Sequence, residues 1–126
     1  MRERGSAAVD FVLVSVPLLA LLLGVLQVAA YLYLRNVVVA SAAEAARQAA
    51  AADRSTRDGG PLAEQVLARG LPAAAAGLRC TAAEEAGVAG TVLVVVRCRG
   101  AVPALVPLTG PVLPVDATAR ALKEGR

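Results

Sequence analysis

Histidine and tryptophan are absent from this 126-residue chain, phenylalanine and methionine occur once each, and there are two tyrosines and two cysteines. Without imidazole, Ser-His and Cys-His nucleophile pairs and the usual histidine-containing metal sites are excluded. Aromatics at 2% cannot build the stacking platforms of single-strand binders, and a net charge of +3, with arginines scattered from Arg35 to Arg126, forms no clustered basic face. Nucleic acid is therefore not an expected partner. Asp10, Glu44, Asp53 and Asp116 are dispersed, and no Gly-rich loop precedes a helix in phosphate-binding form. The chain is expected to be non-enzymatic, with no cofactor and no metal.

What is present in excess is small aliphatic side chains. Hydrophobic residues make up 57% of the chain, chiefly Ala and Val, so a soluble core built from them is thin. The length leaves room for one small domain beside a membrane segment. Phe11 to Leu34 carries no charge, and a run of that length exceeds the roughly 20 residues a helix needs to cross the hydrocarbon core. Pro17 near its start implies at most a kink. Tyr31, Tyr33 and Arg35 mark the far membrane–water boundary. Beyond it Val38, Ala42, Ala45, Ala46 and Ala49 recur at helical spacing, with Ser41, Glu44, Arg47, Gln48 and Asp53 largely elsewhere around the helix. The helix is expected to continue out of the bilayer and to end near Gly59, where STRDGGP collects turn residues and implies a hinge.

Leu62, Val66, Leu67 and Leu71 form a short amphipathic helix that Pro72 and Gly77 close. Thr91 to Arg99 is the clearest strand, Leu78 to Ala82 its expected partner, and Val112 to Ala119 a short edge strand. Prolines and Gly110 argue against a central strand between Pro103 and Pro114. The fold class is α+β: a long N-terminal transmembrane and amphipathic helix followed by a short helix and a small antiparallel β-sheet. Pairing around a turn centred near Ala89 sets Cys80 opposite Cys98, which favours a disulfide in an exported domain over a metal site; two buried free thiols are the alternative. Glu84-Glu85, Arg97, Arg99, Arg120, Lys123, Glu124 and Arg126 read as solvated charge with no site assigned to them.

The N-terminus orders a short basic leader with Arg2 and Arg4, then Gly5, Ser6, two alanines and a valine, the acid Asp10, the aromatic Phe11 and the apolar helix. This order resembles prepilins of the type IV class, and most closely the TadE-like minor pilins and pseudopilins of the Tad (Flp) pilus system. The resemblance implies cleavage after Gly5 by a membrane prepilin peptidase, with Ser6 as the new N-terminus. Asp10 then occupies the acidic fifth position, where the family more often has Glu. Other pilins and Tad assembly proteins, with the lipid bilayer, are the implied partners, and pilus or secretion-apparatus assembly is the implied role. The corresponding division is a leader at 1–5, a membrane-anchoring helix at 6–35, an amphipathic extension and hinge at 36–60, and a small extracytoplasmic domain at 61–126.

Simpler readings stand beside it. A carboxylate next to an apolar helix is costly, yet Asp10 also suits an interfacial first-turn acid favoured by the helix dipole. Val28-Ala29-Ala30 fits an ordinary signal peptidase, although the apolar run is longer than a usual signal core. The positive-inside rule places the N-terminus inside only modestly, since Arg35 and Arg47 flank the other side. An unprocessed, signal-anchored envelope protein that binds another protein or the cell wall is the alternative function.

Overall fold

The computed structural model describes residues 4–103 and 112–125. Helix α1 (Arg4–Ala50) is followed by a 3-10 turn (Thr56–Asp58), α2 (Gly59–Gly70) and the single turn α3 (Pro72–Ala75). Strands β1 (Leu78–Ala86), β2 (Val92–Pro103) and β3 (Val112–Leu122) form one antiparallel sheet in the order β1-β2-β3. The chain is thus an α+β protein with β2 central.

Helix α1 runs through Pro17 without interruption. Its first half is largely exposed, while its second half supplies one wall of the core. Val38, Ala42, Ala45, Ala46 and Ala49 are fully buried and face Leu78, Cys80, Val94, Val96, Cys98, Val102, Val115, Ala117 and Ala119 from the sheet. Alternate strand residues supply that face because side chains of a strand alternate between its sides. Alanine along the helix lets it lie close to the sheet, and among the described residues the largest fully buried side chains are Leu67 and Leu78.

Several expectations need correction. Helix α1 ends at Ala50, and Asp53 lies in the turn beyond it. Gly59 and Gly60 open α2 rather than stopping α1, for a packing reason: a Cβ on Gly59 would sit 2.8 Å from the Ala82 Cβ and 3.1 Å from Val96 Cγ2. The expected hinge is a packed connection in which Ser55 Oγ accepts from the Arg57 N–H and Thr56 is buried, its hydroxyl donating to Glu84 Oε1 at 2.6 Å. Ser41 is also buried, and it avoids an unpaired hydroxyl by donating to the Val37 carbonyl at 2.8 Å. All three strands run longer than the sequence pattern indicates. The expectation for Pro103 to Pro114 falls partly on 104–111, outside the described residues. Among the described ones, Pro103 pairs with Val112 and Pro114 with Ala101, so Pro114 sits on the edge strand, where a missing N–H is tolerated.

The turn between β1 and β2 is centred on Ala89, which takes a left-handed conformation at φ 57°, with Ala86 opposite Val92. The outer side of β1 is closed by α2. Glu64 Oε1 accepts the Cys80 N–H at 3.0 Å, and a Cβ on Gly60 would lie 2.6 Å from the Cys80 carbonyl oxygen. On the other side α1 lies along β3, and the two run parallel. The Tyr31 hydroxyl donates to the Pro114 carbonyl at 2.9 Å at one end, and the Glu124 N–H donates to the Ala50 carbonyl at 2.8 Å at the other.

Gly59→Ala should destabilise the domain by about 1–3 kcal/mol through overpacking. Gly70→Ala, where a Cβ meets nothing within 4 Å, should gain up to about 1 kcal/mol from helix propensity. Urea unfolding in detergent, followed by circular dichroism, compares the two, and equal midpoints would contradict the packing account of Gly59.

Candidate functional site

Gly5, Ser6, Asp10 and Phe11 all lie in the first two turns of α1 and are solvent-exposed, with Phe11 at 72%. A Cβ on Gly5 would meet nothing within 4 Å, so nothing in the described fold calls for glycine there. Glycine in a helix costs about 1 kcal/mol relative to alanine. Ser6 and Asp10 are one helical turn apart and share a face. Among the described residues, no hydrogen bond or ion pair satisfies the Asp10 carboxylate.

From Val9 to Val28 the large apolar side chains of α1 are exposed on every side of the helix, as are Leu32 and Tyr33, while Tyr31 packs against the core. No part of the most apolar window is covered by the chain, and the helix is long and apolar enough to cross a membrane once. A helix that is apolar all round requires a lipid or protein environment to bury it. Phe11 to Tyr31 rises about 30 Å, the thickness of a hydrocarbon core.

Residues 5–47 match the model of the TadE-like protein family. The match starts at Gly5, spans the apolar half of α1 and stops within its buried alanine face. Neither a curated protein nor a solved structure matches the chain. The TadE-like segment is thus the long helix, and the sheet domain lies outside it.

In that domain Cys80 and Cys98 are direct partners in the β1–β2 register and are joined by a disulfide. Cys98 is fully buried and Cys80 nearly so. Several of the charges expected to be merely solvated, Glu84, Glu85, Arg97, Arg99, Arg120 and Lys123, are paired. On the sheet face away from α1, Arg97 grips Asp116 with two hydrogen bonds, Nε to Oδ1 at 3.1 Å and Nη2 to Oδ2 at 2.8 Å. Arg99, directly opposite Asp116, adds Nε to Oδ2 at 3.1 Å. Chiefly through the Arg97 hydrogen bonds, the Asp116 carboxyl is lowered to about 2. Glu84 is likewise lowered, first by Lys123 and then by the Thr56 hydroxyl. Sequence spacing missed the Asp116 pairs because they follow from the β2–β3 register, and the Glu84 partners because they come from segments far apart in the chain. None of them forms a group of metal-ligating side chains among the described residues.

Two outcomes follow for the domain. Replacing Cys80 and Cys98 together with Ala should lower stability by about 3 kcal/mol, the chain-entropy value for a loop of this size; nonreducing peptide mapping should recover the Cys80–Cys98 pair within one chain, and free alkylatable thiols would refute it. Asp116 binds its proton more weakly when folded, so its stabilisation is complete above the ordinary carboxylate value and is lost as pH falls from 3.8 toward about 2. Asp116→Asn should remove that part of the acid unfolding profile; an unchanged profile would show the carboxylate to be uninvolved.

Proposed function

We propose that this chain is a minor pilin or pseudopilin that takes part in assembly of a Tad-type pilus or related secretion apparatus through its N-terminal helix. The observation that carries this reading is the way α1 is used: the segment that matches the TadE-like family begins at a glycine the described fold does not require and continues through a carboxylate with no described partner. Both then enter an uncovered apolar surface. A prepilin peptidase cutting after Gly5 accounts for the glycine, since a side chain there would obstruct its approach to the scissile bond. The cut frees the Ser6 ammonium, and in a poorly solvated helix bundle an ammonium and the Asp10 carboxylate of a neighbouring subunit are each costly alone and compensate one another. Phe11 and the residues after it supply the lateral packing surface.

The chain then spans the cytoplasmic membrane once, N-terminus inside, with the sheet domain extracytoplasmic. Arg2 and Arg4 on the leader favour that orientation, and a disulfide is suited to an oxidising compartment. The role is structural rather than catalytic. Retention in the membrane is supported by the passage of α1 through Val28-Ala29-Ala30 without a break and by the Tyr31 hydrogen bond to Pro114, which ties the end of the span to the domain.

Intact mass and N-terminal sequencing of membrane-recovered protein, with and without prepilin peptidase, should show a mature chain beginning at Ser6, with formal charge reduced from +3 to +2 by loss of Arg2, Glu3 and Arg4. A bulky residue at Gly5 should leave the full-length form. Asp10→Ala should be processed normally yet fail to crosslink to the assembly machinery, and Asp10→Glu should retain incorporation. A mature N-terminus at Tyr31 would sink the reading. If Asp10→Ala is processed and copurifies with its partners undiminished, the carboxylate is only an interfacial helix acid.

A further inference from the structure

The two hydrogen bonds that align α1 with β3 also fix which end of the domain faces the membrane. Tyr31 lies at the exit of the apolar span and holds the Pro114 carbonyl; Ala50, about 28 Å further along the helix, accepts from the Glu124 N–H. The β3 path between Pro114 and Glu124 is about 33 Å, so strand and helix stay side by side throughout. The Lys123 N–H donates to the Val92 carbonyl at 2.9 Å, which sets the β1–β2 turn and Val88 at the far end. Ala101–Pro103 and Val112–Pro114 are then at the near end. The Ala101 N–H donates to the Gly77 carbonyl at 3.2 Å and brings α3 there as well.

Composition follows the same axis. No charged residue occurs from Gly70 to Leu78, in Gly100–Pro103 or in Val112–Val115, the described segments that meet at the near end. One register step above them lie Arg79, Arg99 and Asp116. Arg69 lies in the last turn of α2 just before the uncharged turn, and Arg35 follows Tyr31 by one turn of α1. Arg35, Arg69, Arg79 and Arg99 border the uncharged end with two carboxylates, Asp116, which pairs with Arg99, and Glu64, which takes the Cys80 N–H; Asp53, Asp58, Glu84, Glu85 and Glu124 lie toward the opposite end among Arg54, Arg57, Arg120 and Lys123.

We propose that the domain stands on the bilayer, with α3 and the β2–β3 end of the sheet at the level of the lipid headgroups and the arginines against anionic phospholipid. An uncharged end beside a membrane span loses little by displacing headgroup water, and guanidinium groups just above it are placed to bind phosphate while their stems cover apolar surface. Acids at the far end lie beyond a Debye length of about 8 Å from that surface and do not oppose the contact. This goes beyond lateral helix packing but rests on the anchoring of α1 in lipid.

The chain contains no tryptophan, so single substitutions give clean depth reporters. Full-length Leu22→Trp, Pro114→Trp, Ala76→Trp and Val88→Trp would each be reconstituted in phosphatidylethanolamine–phosphatidylglycerol vesicles whose acyl chains carry bromine at shallow or deep positions. Retention of the Cys80–Cys98 bond on nonreducing gels would verify folding. Leu22→Trp, mid-span, should be quenched by deep bromine. Pro114→Trp and Ala76→Trp should show blue-shifted emission and loss of intensity with shallow bromine, whereas Val88→Trp, at a position 87% exposed on the far turn, should show neither. Should Pro114→Trp and Ala76→Trp behave like Val88→Trp while Leu22→Trp is quenched, the standing domain is overturned and the anchor survives. Absence of quenching at Leu22→Trp would overturn both.

Discussion

Exposed apolar side chains ring α1 from Val9 to Val28, whereas from Val38 onward the same helix buries a stripe dominated by alanine against the sheet. One rigid element therefore answers to two solvents, and the rest of the structure depends on where it passes from one to the other. The passage is marked by Tyr31, whose ring suits the boundary and whose hydroxyl is committed to Pro114. Because β3 is pinned at both ends along the helix, the domain has little freedom to swing about its anchor. It behaves as an extension of the helix rather than as a body on a tether.

Alanine on the helix and valine on the strands make the contact between helix and sheet close but shallow, and few large side chains are enclosed. Such a core supplies limited hydrophobic stabilisation, since the effect scales with apolar area removed from water. The cross-strand disulfide and the Arg97–Asp116–Arg99 cluster lie on opposite faces of the same β2 strand. One ties β2 to β1 covalently and the other ties it to β3 by charge-assisted hydrogen bonds, so the central strand is fastened on each side by chemistry that does not require a large core.

Period was the most readable feature of the sequence. The 3.6-residue recurrence of Val38, Ala42, Ala45, Ala46 and Ala49 identified the buried face of α1, and the symmetry of Cys80 and Cys98 about Ala89 identified the hairpin register. Both are local signals. Gly59 misled because a glycine demanded by a neighbouring strand looks the same in sequence as one that ends a helix. Ser41 misled because its hydroxyl is satisfied one turn back along its own helix. The partners of Asp116, Glu84 and Glu64 were hidden because they depend on contacts between distant segments. For the N-terminal residues the order of Gly5, Ser6, Asp10 and Phe11 carried the functional reading, and the structure adds that neither Gly5 nor Asp10 is accounted for within the described fold.

The treatment of the sheet edges bears on how copies of this chain can associate. An exposed edge strand invites another strand to extend the sheet. Here Glu64 occupies a donor of β1 and α2 crowds its backbone, while α1 runs the length of β3. Growth of a fibre by continuous main-chain pairing from subunit to subunit is thereby obstructed on both flanks, and contact between copies is left to side chains and to the apolar rod. Copies that met in that way would separate without unzipping a shared backbone ladder.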